Sequence, residues 1–328
     1  MILYQPPKDA EVIPLIDIAG LYSEDLAARK AVATEIHKAA RYTGFFYIAG
    51  HRVPQALMEQ QLEWTRRVFA LPDADKQAAR LALSPCRRGW EGLATQVLDE
   101  GTPPDYKESY YVGRDLGPDH PYVRARLANH GPNQWPAALP ELATATMAYF
   151  DAVSAVDHLL MRGLALSLEL PEDYFEAMMQ EPMPILRMIH YPPQPERAQE
   201  NQLGAGAHTD WGAMTLLLQD QVGGLEVQGS DGQWVRATPI PGTFVVNLGD
   251  LIARWTNGLY HSNMHRVRNG GGHDRYSIAY FGNPDPNARV ECLPTCMSAD
   301  NPPRFAPCTA GQHIEEMYRL TMGEKKAA

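Results

Sequence analysis

From Pro184 onward, the chain consists of short apolar segments separated by turns. The segments that qualify as strands by length and by their content of β-branched and aromatic residues are Ile185–Tyr191, Met214–Gln219, Leu225–Gln228, Trp234–Thr238, Phe244–Leu248, Met264–Arg268 and Tyr276–Phe281. Many short strands at such spacing are typical of sandwiches and jelly rolls, in which each sheet buries its apolar face against another. We therefore expect a β-rich second half of this architecture.

The first half is rich in predicted helices. Ser23 is the expected N-cap of a helix that runs to about Tyr42, and Pro54 begins a second helix. Leu139 to Leu170 has the apolar periodicity of one long amphipathic helix, which can back a sheet. A further helix is expected near the C-terminus, where it would pack against the rest of the fold or cover the opening of the jelly roll.

Composition and charge restrict the class of protein. The 328 residues include 29 Lys and Arg against 39 Asp and Glu, and the net charge of −10 disfavours nucleic acid or an anionic membrane as a partner. The start of the chain lacks the pattern of a signal peptide, and no apolar run has the length of a membrane span. The four cysteines are few and unevenly spaced, so we expect reduced thiols. These features predict a cytoplasmic protein and leave its oligomeric state open.

Three residues in the second half have the order and spacing of a metal site. His208 and Asp210 are two apart, and residues at this spacing on an extended chain face the same side. His265 begins a later predicted strand and supplies a second imidazole. Two imidazoles and one carboxylate form the facial triad of non-haem Fe(II) oxygenases, which leaves three coordination positions open.

Arg275 and Ser277 repeat the two-residue spacing on the next predicted strand. A guanidinium and a hydroxyl on one face form a natural receptor for a distal carboxylate, held by charge-assisted hydrogen bonds. A single His-x-Asp or Arg-x-Ser is more often a surface polar pair. The shared order, spacing and strand context of both motifs favour one linked site.

These motifs lie among stretches that resemble the isopenicillin N synthase-like family of Fe(II)/2-oxoglutarate-dependent oxygenases. The matching stretches are Gly44-Phe45-Phe46-Tyr47-Ile48, Ile189-His190-Tyr191-Pro192-Pro193, Gly206-Ala207-His208-Thr209-Asp210, Asn247-Leu248-Gly249-Asp250, Asn257-Gly258-Leu259-Tyr260-His261-Ser262, His265-Arg266-Val267 and Arg275-Tyr276-Ser277-Ile278-Ala279. The resemblance covers most of the chain and is specific for the family but weak for the substrate.

The resemblance implies a mainly β fold with added helices, in which a double-stranded β-helix (jelly-roll) core is flanked by N-terminal and central helices. The expected regions are an N-terminal α/β region at 1–125, backing helices at 126–180, the Fe(II)/2-oxoglutarate core at 181–290, and a C-terminal tail and helix at 291–328. The strand pattern of the second half supports the β core independently.

The resemblance also implies Fe(II), 2-oxoglutarate and O2 as cofactor and cosubstrates. The two histidines and the aspartate of the motif would hold the iron, and Arg275 and Ser277 would hold the 5-carboxylate of 2-oxoglutarate. Tyr191 matches a position that often adds a hydroxyl bond to the cosubstrate. Some plant relatives carry an asparagine two residues earlier, where this chain has Ile189, so one contact of the plant pattern is missing.

The implied activity is hydroxylation of an unactivated C–H bond in a small organic molecule, with release of succinate and CO2. No catalytic side chain is expected beyond the metal ligands. Isopenicillin N synthase itself uses no 2-oxoglutarate and turns its Arg-x-Ser toward the substrate, so Arg275 and Ser277 do not decide which acid they bind. A same-fold oxidase, desaturase, cyclase or ethylene-forming enzyme is an alternative, and a non-catalytic metal-binding sensor is another, although the intact triad argues against it.

Candidate substrate contacts are aromatic. Phe281 lies six residues beyond Arg275, which places it on the same face of the strand. Trp211 follows the ligand Asp210 and is expected at the pocket rim, while Tyr110 falls in a segment that borders the substrate in relatives. Each of these residues can equally serve core packing. The basic pair Arg87-Arg88 is expected to be solvated.

Overall fold

A computed structural model describes residues 13–99, 101–194, 202–229, 232–270 and 272–321. The helices are α1 (Leu26–Tyr42), α2 (Gln55–Phe69), α3 (Asp73–Ala78), α4 (Pro121–Arg124), α5 (Leu142–Ser167), α6 (Asp250–Trp255) and α7 (Ala310–Thr321). The strands are β1 (Leu15–Asp17), β2 (Phe45–Ala49), β3 (Gly89–Glu91), β4 (Glu108–Gly113), β5 (Ile185–Tyr191), β6 (Ala205–His208), β7 (Met214–Gln219), β8 (Leu225–Gln228), β9 (Trp234–Arg236), β10 (Phe244–Leu248), β11 (His265–Val267), β12 (Arg275–Gly282), β13 (Arg289–Val290) and β14 (Cys308–Thr309). Short 3-10 helices lie at Ile18–Tyr22, Leu81–Leu83, Glu176–Met179 and Pro294–Cys296.

Two sheets form the jelly-roll core. The larger has the strand order β1-β2-β10-β7-β12-β5-β4-β3, and the smaller has the order β6-β11-β8-β9. All strand pairs in both sheets are antiparallel except β1 with β2. Because strand residues alternate between faces, one face of the large sheet turns toward the small sheet and the other toward the helices.

Each face of the large sheet has its own apolar cluster. Between the sheets lie Phe45, Tyr47, Ile189, Tyr191, Ala205, Leu225, Val227, Ala237, Val245 and Val267. On the opposite face, α1, α2 and α5 cover the sheet with a larger cluster that includes Phe46, Ile48, Leu216 and Tyr280. The adjacent residues Phe45 and Phe46 enter different clusters, as strand alternation requires.

The helix predictions are confirmed in position and corrected at their ends. The predicted helix from Leu139 to Leu170 is observed as α5, Leu142–Ser167. Ser23 is not the N-cap of α1, because it ends the preceding 3-10 helix and its hydroxyl accepts from the Asp25 amide at 3.1 Å. Asp25 caps the helix by accepting from the Ala27 amide at 2.9 Å.

None of the helices in the described ranges is long and apolar enough to cross a membrane. The first twelve and last seven residues of the chain lie outside the described residues. The outer limits of the regions predicted at 1–125 and 291–328 therefore also lie outside them.

Candidate metal centre and the adjoining cavities

Pairing of β6 with β11 brings together the two histidines predicted as metal ligands. His208 ends β6, His265 begins β11, and the two are direct partners across the antiparallel pair. Their ring centroids are 4.3 Å apart. Asp210 follows two residues after His208, where the chain turns toward β7. One candidate ligand atom from each of these three residues lies within 4.8 Å of the others.

Hydrogen bonds orient the ligand atoms toward a common point. His208 Nδ1 lies 2.7 Å from the Gly206 carbonyl, and His265 Nδ1 lies 3.3 Å from the Asn263 carbonyl. When each Nδ1–H donates to its carbonyl, the lone pair of each Nε2 is free for a metal. These two Nε2 atoms lie 3.9 and 3.6 Å from Asp210 Oδ1.

The carboxylate of Asp210 uses its two oxygens differently. Oδ2 accepts from the Thr215 hydroxyl and from the Asn247 amide, both at 2.6 Å. Oδ1 is the oxygen that faces the two histidines. Thr215 on β7 and Asn247 on β10 thus hold the carboxylate from the large sheet while the histidines come from the small one.

The electrostatics of the site favour the forms that bind metal. Burial and the neighbouring His265 lower the pKa of His208 to about 3, so its ring is neutral at physiological pH. Burial alone would raise the pKa of Asp210, but the two histidines and the bonds from Asn247 and Thr215 bring it below its usual value. A neutral imidazole and an ionised carboxylate are the protonation states that ligate a metal.

This donor set fits Fe(II). Two imidazole nitrogens and one carboxylate oxygen converge from one side, and the other polar atoms of the same side chains are already bonded. That arrangement leaves the opposite side open for further ligands, as in a facial triad.

An inner cavity lies between the sheets beside these ligands and reaches Arg275, Ser277 and Tyr191. Arg275 is fully buried, and its Nε donates to the Gly223 carbonyl. Its Nη1 lies 3.3 Å from the Ser277 hydroxyl, and the guanidinium lies 4.6 Å from the centroid of the Tyr191 ring. A fixed, desolvated guanidinium beside the Ser277 hydroxyl and the Tyr191 ring has the chemistry of a carboxylate receptor.

Strand register arranges the inward side chains in rows. Arg275 pairs with Tyr191, and Ser277 pairs with Ile189. Further along β12, Phe281 pairs with Ile185 and lines both the inner cavity and a second, outer cavity. The predicted common face of Arg275 and Phe281 is therefore present in the structure.

The other two candidate substrate contacts, Trp211 and Tyr110, lie in different parts of the structure. Trp211 lines the outer cavity, and its ring meets the Tyr318 ring edge-on at 5.1 Å between centroids. Tyr110 does not line either cavity, because it pairs with Met188 on the helix-facing side and its hydroxyl donates to the Gln134 carbonyl at 2.7 Å. The neighbouring Tyr111 points inward and lines the outer cavity instead.

The expectation that Arg87-Arg88 is a solvated pair is wrong. Arg88 is 1% exposed and donates to the backbone carbonyls of Cys86 and Asn129. Arg87 forms a two-point ion pair with Glu315 on α7, with bonds of 3.0 and 3.1 Å. Both arginines are therefore structural contacts of this end of the molecule.

Sequence reasoning missed two buried cations that line the cavities. Lys107 lies at the inner cavity and pairs with Asp105, and burial lowers its pKa to about 8. Arg187, on β5, lines both cavities. Its position two and four residues before Ile189 and Tyr191 was a usable signal, because all three then share one face of the strand.

Two family profiles match the chain. Residues 13–138 match the one described as the non-haem dioxygenase in morphine synthesis N-terminal family, and residues 182–284 match the 2OG-Fe(II) oxygenase superfamily. Among curated proteins, the chain is 40% identical to the 2-oxoglutarate-Fe(II) type oxidoreductase hxnY of Emericella nidulans, over 96% of this chain and 91% of the relative. It is 34% identical to the clavatol oxidase claD of Penicillium crustosum, over 94% and 96%.

Two solved structures of similar proteins agree with these family matches. A full-length Neurospora crassa protein in complex with alpha-KG and thymine superposes with a TM-score of 0.84 at 30% identity, covering 95% of this chain and 98% of that one. A 2OG-Fe(II) oxygenase family protein from Caulobacter crescentus superposes with a TM-score of 0.83 at 30% identity, covering 95% and 99%.

Proposed function

The chain belongs to the 2OG-Fe(II) oxygenase superfamily, and we propose that it hydroxylates an unactivated C–H bond of a small organic molecule at the site built by His208, Asp210 and His265. The observation that carries this proposal is the convergence of three ligand atoms on one side of a cavity that also contains a buried guanidinium. The complex of the Neurospora relative with alpha-KG and thymine supports a small substrate beside the cosubstrate.

The residues have separate tasks in this proposal. His208 Nε2, Asp210 Oδ1 and His265 Nε2 would hold Fe(II). Arg275 and Ser277 would bind the distal carboxylate of 2-oxoglutarate, with Tyr191 beside them, and this contact orients the other end of the cosubstrate toward the ligands. When bound together, Fe(II) and 2-oxoglutarate supply the activation of O2 that oxidises the substrate and yields succinate and CO2.

The chain's own contribution is orientation and exclusion of water. The guanidinium of Arg275 is fixed by the Gly223 carbonyl, so little side-chain conformational freedom remains to be lost when a carboxylate binds. The apolar residues Phe45, Leu217, Leu225 and Val267 surround the inner cavity. No side chain is assigned as a general acid or base.

Phe281 and Trp211 are proposed as substrate contacts on the outer cavity, whereas Tyr111 replaces Tyr110 in that role. We also propose that the chain divides into an N-terminal α/β region at 1–125, backing helices at 126–180, the core at 181–290, and a C-terminal tail and helix at 291–328. The family match over residues 182–284 supports the bounds of the core, whereas the match over residues 13–138 extends beyond residue 125. A cytoplasmic location is part of the proposal and is supported by the four unpaired cysteines.

The test is release of labelled CO2 from 2-oxoglutarate labelled at C1, followed by product mass. We expect Fe(II)-dependent release by the native chain and its loss in His208→Ala, with unchanged circular dichroism. A product heavier by one oxygen atom supports hydroxylation, and a product lighter by two hydrogens would assign desaturation instead. Release of label that is equal in the native chain and in His208→Ala would contradict the metal assignment.

A further inference from the structure

The inner cavity has to accept two carboxylates in the proposed reaction. 2-Oxoglutarate is a dianion, and Arg275 and Ser277 are assigned only to the carboxylate at its distal end. The second carboxylate, next to the oxo group, is directed toward the metal ligands in that arrangement. A carboxylate buried without a hydrogen-bond donor is costly, so this end of the cosubstrate needs a donor of its own.

Lys107 is a buried ammonium that borders the inner cavity. Its side chain is 3% exposed, and its Nζ donates to Asp105 Oδ2. Within the described residues this is the only hydrogen bond that the ammonium makes, although an ammonium carries three N–H donors. Two donors are therefore left for a ligand in a site that is closed to bulk water.

Asp105 holds this ammonium beside strand β6. Asp105 Oδ1 accepts from the Gly206 amide at 2.8 Å, while Oδ2 accepts from Lys107. The Gly206 carbonyl lies 2.7 Å from His208 Nδ1. One series of hydrogen bonds thus joins the ammonium to the strand that presents a metal ligand, which places Lys107 on the His208 side of the cavity.

Other donors near the metal ligands are engaged elsewhere. Thr215 and Asn247 donate to Asp210. Arg187 borders both cavities and is held by three partners, one of which is the carboxylate of Glu91. The ammonium, by contrast, borders the inner of these two cavities alone and has one partner. It is therefore the donor that faces the cosubstrate rather than the substrate.

We propose that Lys107 is a second anchor of 2-oxoglutarate, which donates to the carboxylate next to the oxo group. Lys107 and Arg275 then hold opposite ends of the cosubstrate. Asp105 is a positioning residue, because it fixes the ammonium without touching the cosubstrate. This inference rests on the proposed function and deepens it by adding a binding residue to the same site.

Lys107→Met tests the contact, because it keeps the length of the side chain but removes its charge and its donors. Anaerobic titration of the Fe(II)-loaded protein with 2-oxoglutarate, followed by visible absorbance, measures the affinity. We expect Kd to rise by about tenfold or more, since hydrogen bonds to charged groups are the stronger ones. Lys76→Met is the matched control. Lys76 is also buried and ion-paired, with Glu108, but it borders neither cavity, so we expect native affinity.

Two further measurements separate a contact from a structural role. Asp105→Asn and the double variant Asp105→Asn/Lys107→Met differ only in the ammonium, and neither leaves a buried carboxylate unpaired at position 105. We expect the double variant to bind 2-oxoglutarate about tenfold or more weakly than Asp105→Asn. At saturating 2-oxoglutarate, the charge-transfer band of Lys107→Met should lie at shorter wavelength than the native band, because loss of the positive charge raises the energy of the oxo-acid orbital that accepts the electron.

A crystal structure of the native protein with Fe(II) and 2-oxoglutarate tests the contact without any substitution. We expect Lys107 Nζ to lie within about 3.2 Å of an oxygen of the carboxylate next to the oxo group. A Lys107 ammonium beyond hydrogen-bond distance of that carboxylate, or a Lys107→Met variant with native affinity and an unshifted band, would overturn the assignment. Either result in a protein that binds 2-oxoglutarate contradicts this inference alone, whereas a native protein that holds iron and binds no 2-oxoglutarate contradicts the proposed function as well.

Discussion

At the scale of single residues, the candidate centre depends on which atom of each ligand is left free. Asp210 accepts two bonds of 2.6 Å on Oδ2, so only Oδ1 is available to a metal. Carbonyl partners similarly commit Nδ1 of His208 and His265. Partners that orient ligands in this way commonly change metal affinity by about 10- to 100-fold when they are removed.

Thr215→Val tests this orientation at one bond. The variant keeps the shape of the side chain but removes the hydroxyl that donates to Asp210 Oδ2, so we expect Fe(II) affinity to fall by about tenfold or more. Anaerobic titration of Fe(II) measures the loss. Thr65→Val is the matched control, because the Thr65 hydroxyl is equally buried but bonds only the Gln61 carbonyl within α2. Equal Fe(II) affinity in both variants would contradict the role of Thr215.

The sequence predicted the three ligands because their types and spacing are diagnostic, but it did not predict Thr215 or Asn247 as their supports. Those two residues reach Asp210 only through the pairing of β7 with β10. Tyr110 was misplaced for a related reason. A shift of one residue along β4 moves a side chain to the other face of the sheet, and no local feature set that register.

At the scale of elements, α5 packs on the large sheet and buries a carboxylate there. Asp157 is 1% exposed, and neither of its carboxylate oxygens has a hydrogen-bond partner. A Cβ built on Gly282 of β12 would lie 2.2 Å from Asp157 Oδ1, so the close contact of helix and strand requires glycine there. Burial raises the pKa of Asp157 to about 7.

This pKa makes stability depend on pH in a defined direction. In the unfolded chain Asp157 ionises near its ordinary value of about 3.9, so between that pH and about 7 the folded state holds a proton that the unfolded state has lost. The free energy of unfolding therefore falls as pH rises through this window and levels off above it. Asp157→Asn removes this dependence.

We expect urea unfolding to show that, from pH 4 to pH 8, the free energy of unfolding of Asp157→Asn rises relative to that of the native chain by an amount on the order of 2–4 kcal/mol. Asp151→Asn, on the exposed side of the same helix, is the control and is expected to follow the native chain. A constant difference between Asp157→Asn and the native chain across this range would show that the carboxylate is ionised in the folded state.

At the scale of the whole molecule, distant parts of the chain combine in one sheet and around one cavity. β2 pairs with β10 and β4 pairs with β5, so strands from the N-terminal part extend the core sheet on both sides. α7, near the C-terminus, adds Ile314 and Tyr318 to the outer cavity. The sequence predicted the β core and α7 from local patterns, but these pairings join distant segments and have no local signature.

Arg87 links α7 to the N-terminal half of the chain through side-chain contacts. It pairs with Glu315, lies 4.0 Å from the centroid of the Tyr318 ring, and adopts a left-handed backbone with φ of 59°. Arg87→Asn tolerates that backbone but loses both contacts. We expect amide exchange across 310–321 to become about 2- to 10-fold faster, as these contacts are worth roughly 0.5–1.5 kcal/mol together. Lys38→Asn, which removes an exposed ion pair on α1, is the control and should leave amide exchange in α7 unchanged. Unchanged exchange in Arg87→Asn would show that the Arg87 contacts do not stabilise α7.

We propose that Arg275 anchors 2-oxoglutarate beside an iron held by His208, Asp210 and His265. Anaerobic titration of the Fe(II)-loaded protein with 2-oxoglutarate, followed by visible absorbance, tests this arrangement. We predict a weak metal-to-ligand charge-transfer band that is lost in Arg275→Ala and retained in Arg236→Ala, an exposed arginine on β9. If Arg275→Ala develops the band at the same 2-oxoglutarate concentration as the native protein, or if the iron-loaded native protein shows no band, Arg275 does not anchor 2-oxoglutarate at this iron site.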